Sequence, residues 1–134
     1  MSNPQIKAIN PWTWQDAFGF SQGALVTGGE RVLFCAGQAS VDAQGQPLHA
    51  GDMLRQLNQA LSNLEAVLRD AGMTLRNVVR LNYYVTQMPA FLQASAQVGP
   101  RLVAAGCKPP GTLLGVAALF HPDLLVEIEA TAVG

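Results

Sequence analysis

A chain of 134 residues, 49% of them apolar, can bury a core without metals or disulfides, and residues 1–134 read as a single domain. Charged residues make up only 13%, against roughly 25% in an ordinary soluble domain, so some apolar surface is expected to lie against another subunit. The net charge of −1, with Lys and Arg scattered, argues against nucleic acid as a partner, and the lack of any signal-length or membrane-length apolar run argues for a soluble, cytoplasmic protein with no membrane partner.

In chain order, Trp12 and Trp14 are expected to anchor the N-terminal segment over the core or a neighbouring subunit. Leu25-Val26 and Arg31 to Ala36 flank Thr27-Gly28-Gly29-Glu30, the pattern of a β-hairpin around a Gly-Gly turn. Another turn follows at Asp42 to Pro47. From Asp52 to Ala71 the residues Met53, Leu57, Leu61, Leu64, Val67 and Leu68 recur at three- and four-residue steps, which predicts a helix with one buried face. Asp52 caps its start and Gly72 its end. Val78 to Thr86, rich in β-branched and aromatic residues, reads as a strand. Pro89 opens a second helix, and Gly99-Pro100 is expected to kink or break it. Thr112 to Leu119 and Leu124 to Val133 are further strands, the last alternating Val126, Ile128, Ala130 and Ala132 against Glu127, Glu129 and Thr131. This order implies an α+β fold with two helices on one face of a mixed sheet. The other face then needs a cover, and closed cyclic oligomers are the usual solution.

Cys35 sits in an apolar run and Cys107 in a Gly/Pro-rich segment, with neither CxxC spacing nor nearby His ligands, so no disulfide, metal or cofactor is expected. Tyr83 and Tyr84 face opposite sides of their strand, so only one can line a given cleft. His49 and His121 have no triad partner at a recognisable spacing. Glu127 and Glu129 share one side of a strand, roughly 6.6 Å apart by standard rise, a spacing most often found on the wet face of an edge strand.

Several strings in this order resemble the Rid family, also called YjgF, reactive intermediate deaminases or L-PSP endoribonuclease-like proteins. They are Gly19-Phe20-Ser21-Gln22-Gly23, Ala36-Gly37-Gln38 and Gln59-Ala60-Leu61-Ser62-Asn63-Leu64, then Val116-Ala117-Ala118-Leu119 and Val126 to Val133. The resemblance runs from about Ala17 to Val133 and implies a chorismate-mutase-like α+β fold. It also implies a homotrimer with small-molecule clefts between subunits, in which reactive enamines and imines such as 2-aminoacrylate are hydrolysed to keto acids and ammonia.

In that family an arginine clamps the substrate carboxylate with a bidentate fork. It stands in a Pro-x-Arg-Ser or Pro-x-Arg-Thr string, and the string here is Pro109-Pro110-Gly111-Thr112. Gly111 replaces the arginine, Phe20 a usual tyrosine and Ala36 a frequent serine, while Ser95 falls near an asparagine of the second helix. Loss of a charged hydrogen bond costs roughly 1.5 to 3 kcal/mol, or about one to two decades in affinity. Lys108 is the cation nearest in sequence to the gap.

By the same resemblance Glu127 is the candidate catalytic residue, as proton donor or water positioner. Phe20, Ala36, Gly37, Gln38, Tyr84, Cys107, Gly111 and Thr112 are candidate ligand-binding positions, and Glu129 reads as a surface carboxylate. The activity expected is a hydrolytic deamination of an imine or enamine, with 2-aminoacrylate disfavoured as substrate by Gly111. The alternative is a non-catalytic, metabolite-binding trimer. A ribonuclease, a label some of the family carry, is disfavoured by the balanced charge.

Overall fold

The computed structural model describes residues 4–134. Strands β1 (Gln5–Ile9) and β2 (Gly23–Thr27) form a two-stranded antiparallel ribbon with a 3-10 turn, Trp14–Phe18, between them. β3 (Val32–Phe34), β4 (Gln38–Ala39), β5 (Val78–Val85), β6 (Leu113–Gly115) and β7 (Val126–Val133) form the main sheet, with α1 (Met53–Asp70) and α2 (Met88–Ala104) between its strands. The sheet order is β3-β7-β5-β6, and β4 joins β7 beside β3. Only the β5–β6 pair is parallel, and α2 makes the crossover that a parallel pair requires.

The leucine periodicity of α1 is the clearest link from sequence to packing. Leu57, Leu61, Leu64 and Leu68 are buried against Val126, Ile128, Ala130 and Ala132 of β7 and against α2. Asp52 accepts a hydrogen bond from the Arg55 amide at 3.0 Å, as an N-cap should, and Gly72 follows the helix in the left-handed conformation. The expected two-helix face and mixed sheet are present. Among the described residues no helix is long and apolar enough to cross a membrane.

Four expectations are corrected. Leu25-Val26 does not form a hairpin with Val32–Phe34, because β2 takes β1 as partner and β3 takes the C-terminal half of β7. Gly28 and Gly29 do turn the chain at positive φ, but β2 is paired over its whole length with β1, and all three residues of β3 pair with β7. α2 runs unbroken through Gly99-Pro100, since Pro100 is exposed and water can serve the Ala96 carbonyl that loses its donor. The penultimate strand, Leu113–Gly115, is shorter than Thr112 to Leu119, with a further backbone bond to β5 beyond each end, at Thr112 and Val116. Trp12 and Trp14 are 60% and 58% exposed and do not anchor over this chain's core; Trp14 meets Phe18 and Phe20 edge-on instead.

Register assigns the opposite, helix-free face. Tyr84 pairs with Glu127 and Leu114, Asn82 with Glu129, Arg80 and Phe34 with Thr131, and Val32 with Val133. Val32, Phe34 and Leu114 are exposed there, so the uncovered face carries a polar centre with apolar flanks.

Candidate functional site

The polar centre opens into a shallow cleft of ≈ 360 Å³ lined by Gly37, Tyr84, Val116, Ala118, Leu119, Glu127 and Glu129. β7, flanked by β4 and β5, is the central strand that carries both carboxylates, which corrects their reading as the wet face of an edge strand. Two side-chain amides of α1, Gln56 buried and Asn63 half-buried, hold the walls. Gln56 donates to the His49 and Asp123 carbonyls (3.1 and 2.8 Å) and accepts from the Leu125 amide (2.8 Å), fixing the entry to β7. Asn63, from one of the strings quoted above, donates to the Ala39 and Val41 carbonyls (2.9 and 3.0 Å) and so fixes the segment after Gly37. Val116 continues the ladder beyond β6, its amide donating to the Val85 carbonyl at 2.8 Å, and brings the apolar wall over Tyr84.

Glu127 lies across the backbone at Gly37. A Cβ added there would come within 2.8 Å of the Glu127 Cδ and 3.0 Å of Oε1, so any larger residue at position 37 would push the carboxyl aside. Burial in the cleft, with the charge of Glu129 second, holds the Glu127 carboxyl above the usual carboxylate range. Glu129 behaves oppositely. It accepts hydrogen bonds from the Tyr84 hydroxyl and from Asn82 Nδ2 (3.1 Å), and these two bonds hold its carboxyl below the usual range. The bond to Glu129 also pushes the Tyr84 phenol up. Asn82 is oriented in turn by the Thr112 amide, which donates to its Oδ1 at 3.0 Å. Two carboxyls on one face therefore titrate apart, the arrangement that lets one donate a proton while the other stays charged.

Of the expected site residues, Glu127, Gly37 and Tyr84 come together. Thr112 contributes through its backbone, by way of Asn82. Gln38 turns to its own chain, donating to the Ala36 carbonyl at 3.2 Å, and neither it nor Ala36 lines the cleft. Phe20 sits against Trp14, also outside the lining. Cys107 is buried in the hydrophobic core, and burial followed by the charge of Glu65 pushes its thiol up to about 12. It is a small core residue, because a thiol kept protonated and out of contact with the cleft neither binds ligand nor attacks it.

Gly111 is more than a missing arginine. Its neighbours are bonded to β5, Leu81 N–H donating to the Pro110 carbonyl (3.1 Å) and Tyr83 N–H to the Thr112 carbonyl (2.8 Å). A Cβ at Gly111 would lie 1.7 Å from the Leu81 carbonyl oxygen. This backbone path admits no side chain at all. Lys108 is no substitute, being held by Asp16 at 3.1 Å, and Arg101 ties the two helices together through Glu65, Ser62 and Asn58. No Lys or Arg among the described residues lines the cleft.

Reading the sequence missed Glu129 and Asn82. The signal was available: Asn82 is two residues before Tyr84 and Glu129 two after Glu127, so the strand period places all four on one face. What sequence could not supply was the pairing of the two strands.

The profile of the family described as Endoribonuclease L-PSP matches residues 15–134. A RutC family protein of Synechocystis sp. is 36% identical over 102 residues, 75% of this chain and 77% of that one. The 2-iminobutanoate/2-iminopropanoate deaminase of Mus musculus is 31% identical over 134 residues, 99% of this chain and 95% of that one. Among solved structures, a protein of the Rid family from Yersinia pestis superposes with a TM-score of 0.84 at 39% identity, covering 98% of this chain and 99% of that one.

Proposed function

The chain belongs to the Endoribonuclease L-PSP family, that of the YjgF/Rid proteins, and on that premise we propose that it hydrolyses a small reactive imine or enamine in its cleft. The observation that carries this reading is the placement of Glu127, over Gly37 and beside a second carboxyl already committed to Tyr84 and Asn82. Protonated Glu127 donates to the imine nitrogen, and its carboxylate then takes a proton from the water that adds to the imine carbon. The same group returns that proton to the amine of the carbinolamine as the C–N bond breaks, and its carboxylate then takes the hydroxyl proton as the C=O bond forms. The sum is R₂C=NH plus H₂O giving R₂C=O plus NH₃, with the carboxyl unchanged.

The second reading, a non-catalytic binder, is favoured by one observation, that the backbone at Gly111 leaves no room for the family's carboxylate clamp. 2-Aminoacrylate separates substrate classes within the first reading. Generated by a pyridoxal-phosphate dehydratase, it is expected to release ammonia no faster with this protein than without it. Efficient turnover would show that another cation has taken over the clamp. Ribonuclease activity finds no support, because an acidic cleft repels a phosphate backbone.

The assembly proposed is a homotrimer with three such clefts. Phe34 at 79% exposure, Val32 and Leu114 flank the cleft on the uncovered face, and a neighbouring subunit would bury them. Sedimentation is expected to give one species near three times 14.2 kDa. A monomer at micromolar concentration would remove any inter-subunit site.

A further inference from the structure

From the cleft read above as the site, we infer that its ligands carry a protonated amine or iminium nitrogen and no carboxylate, the nitrogen seated between Glu127 and Glu129. The inference rests on that cleft being the binding site, though not on its being catalytic.

Three observations lead to it. Every ionisable group lining the cleft is acidic: Glu127, Glu129 and the Tyr84 phenol. The two carboxylates project from the same side of β7, two residues or about 6.6 Å of strand rise apart, so a cation between them can donate a charged hydrogen bond to each. The remaining wall, Val116, Ala118 and Leu119, is apolar and suits a short hydrocarbon group rather than a second charge. The volume of ≈ 360 Å³ is at the small end of ligand pockets, roughly 300–1,000 Å³, which limits the ligand to a few carbons beyond its nitrogen.

The geometry also works against an anion. A bound carboxylate would face Glu127 and Glu129 with no cation supplied from this chain's cleft walls, and like charges at contact distance strongly disfavour binding. Among the described residues the one cation on the same sheet face is Arg80, which is paired with Thr131, one same-face position beyond Asn82 and Glu129 and outside the lining.

Isobutylamine, isobutanol and isobutyric acid share a branched skeleton and differ in charge, so binding of each to the intact assembly, followed by NMR at neutral pH, separates the possibilities. The amine is expected to bind about tenfold or more tightly than either of the others, the scale of one charged hydrogen bond. Glu129→Gln and Glu127→Gln should each erase most of that preference. Equal binding of alcohol and amine, tighter binding of the acid, or no binding by any of the three overturns the inference. Acid binding abolished by Arg80→Gln would identify that arginine as the replacement clamp. Ammonia release from the imine that an amine oxidase makes from isobutylamine is measured in parallel. Amine preference without accelerated release keeps the inference and removes the proposed hydrolysis.

Discussion

Glu127→Gln is expected to lower turnover by about 10² to 10⁴, more than the roughly tenfold loss of amine affinity can account for, because glutamine keeps the size but has no proton to transfer. Stability should move the other way. The folded carboxyl holds its proton to higher pH than the unfolded one, since burial and Glu129 raise it, so the folded state loses stability as pH rises from the ordinary carboxyl range through the raised value. Above the ordinary carboxyl range this burial of Glu127 is a net cost that glutamine removes, and Tm should stay level or rise. Well below the ordinary carboxyl range the difference should vanish. A variant that lost activity by unfolding would show the reverse, a falling Tm. Glu129→Gln is not a neutral control, given its bonds to Tyr84 and Asn82. Asp70→Asn serves instead, exposed at the end of α1 on the helix layer, and should leave the rate unchanged.

Gly111→Ala is expected to destabilise the fold by about 3 kcal/mol or more, well beyond an ordinary surface substitution. The new methyl cannot coexist with the Leu81 carbonyl at 1.7 Å, so the segment must lift from β5. It then forfeits the Leu81-to-Pro110 and Tyr83-to-Thr112 bonds, and with them the Thr112 amide that orients Asn82. Gly111→Arg should suffer the same loss and gain no carboxylate binding, so restoring the family's residue does not restore its chemistry. Denaturant midpoints of the two variants give the energies. If Gly111→Arg were as stable as the parent and turned over 2-aminoacrylate, the backbone path described here would be wrong.

Sequence period resolved what is local. The leucines of α1 and the alternation of β7 were legible because burial of one face leaves a mark on the order of residues. Partners were not, because pairing is decided between distant segments. Leu25-Val26 carries the same pattern whether it meets Val32 or Ile6, and Glu127 and Glu129 alternate identically on an edge strand and on the open face of a central one. Pro100 misled for a related reason, since its cost depends on whether the freed carbonyl can reach water. The resemblance located Glu127 and Gly37 without showing that one lies on the other. It also pointed to Phe20, which the fold takes into the N-terminal aromatic cluster, while Cys107, a candidate from its Gly/Pro-rich segment, lies in the core.

A crystal structure of the assembled protein grown with isobutylamine and, separately, with isobutyric acid tests the acidic cleft most directly. The account expects density for the amine between Gly37 and Tyr84, its nitrogen within hydrogen-bond distance of the Glu127 and Glu129 carboxylates, and none for the acid. A carboxylate bound beside Gly111 or Arg80, with the space at Glu127 empty in both crystals, would contradict it.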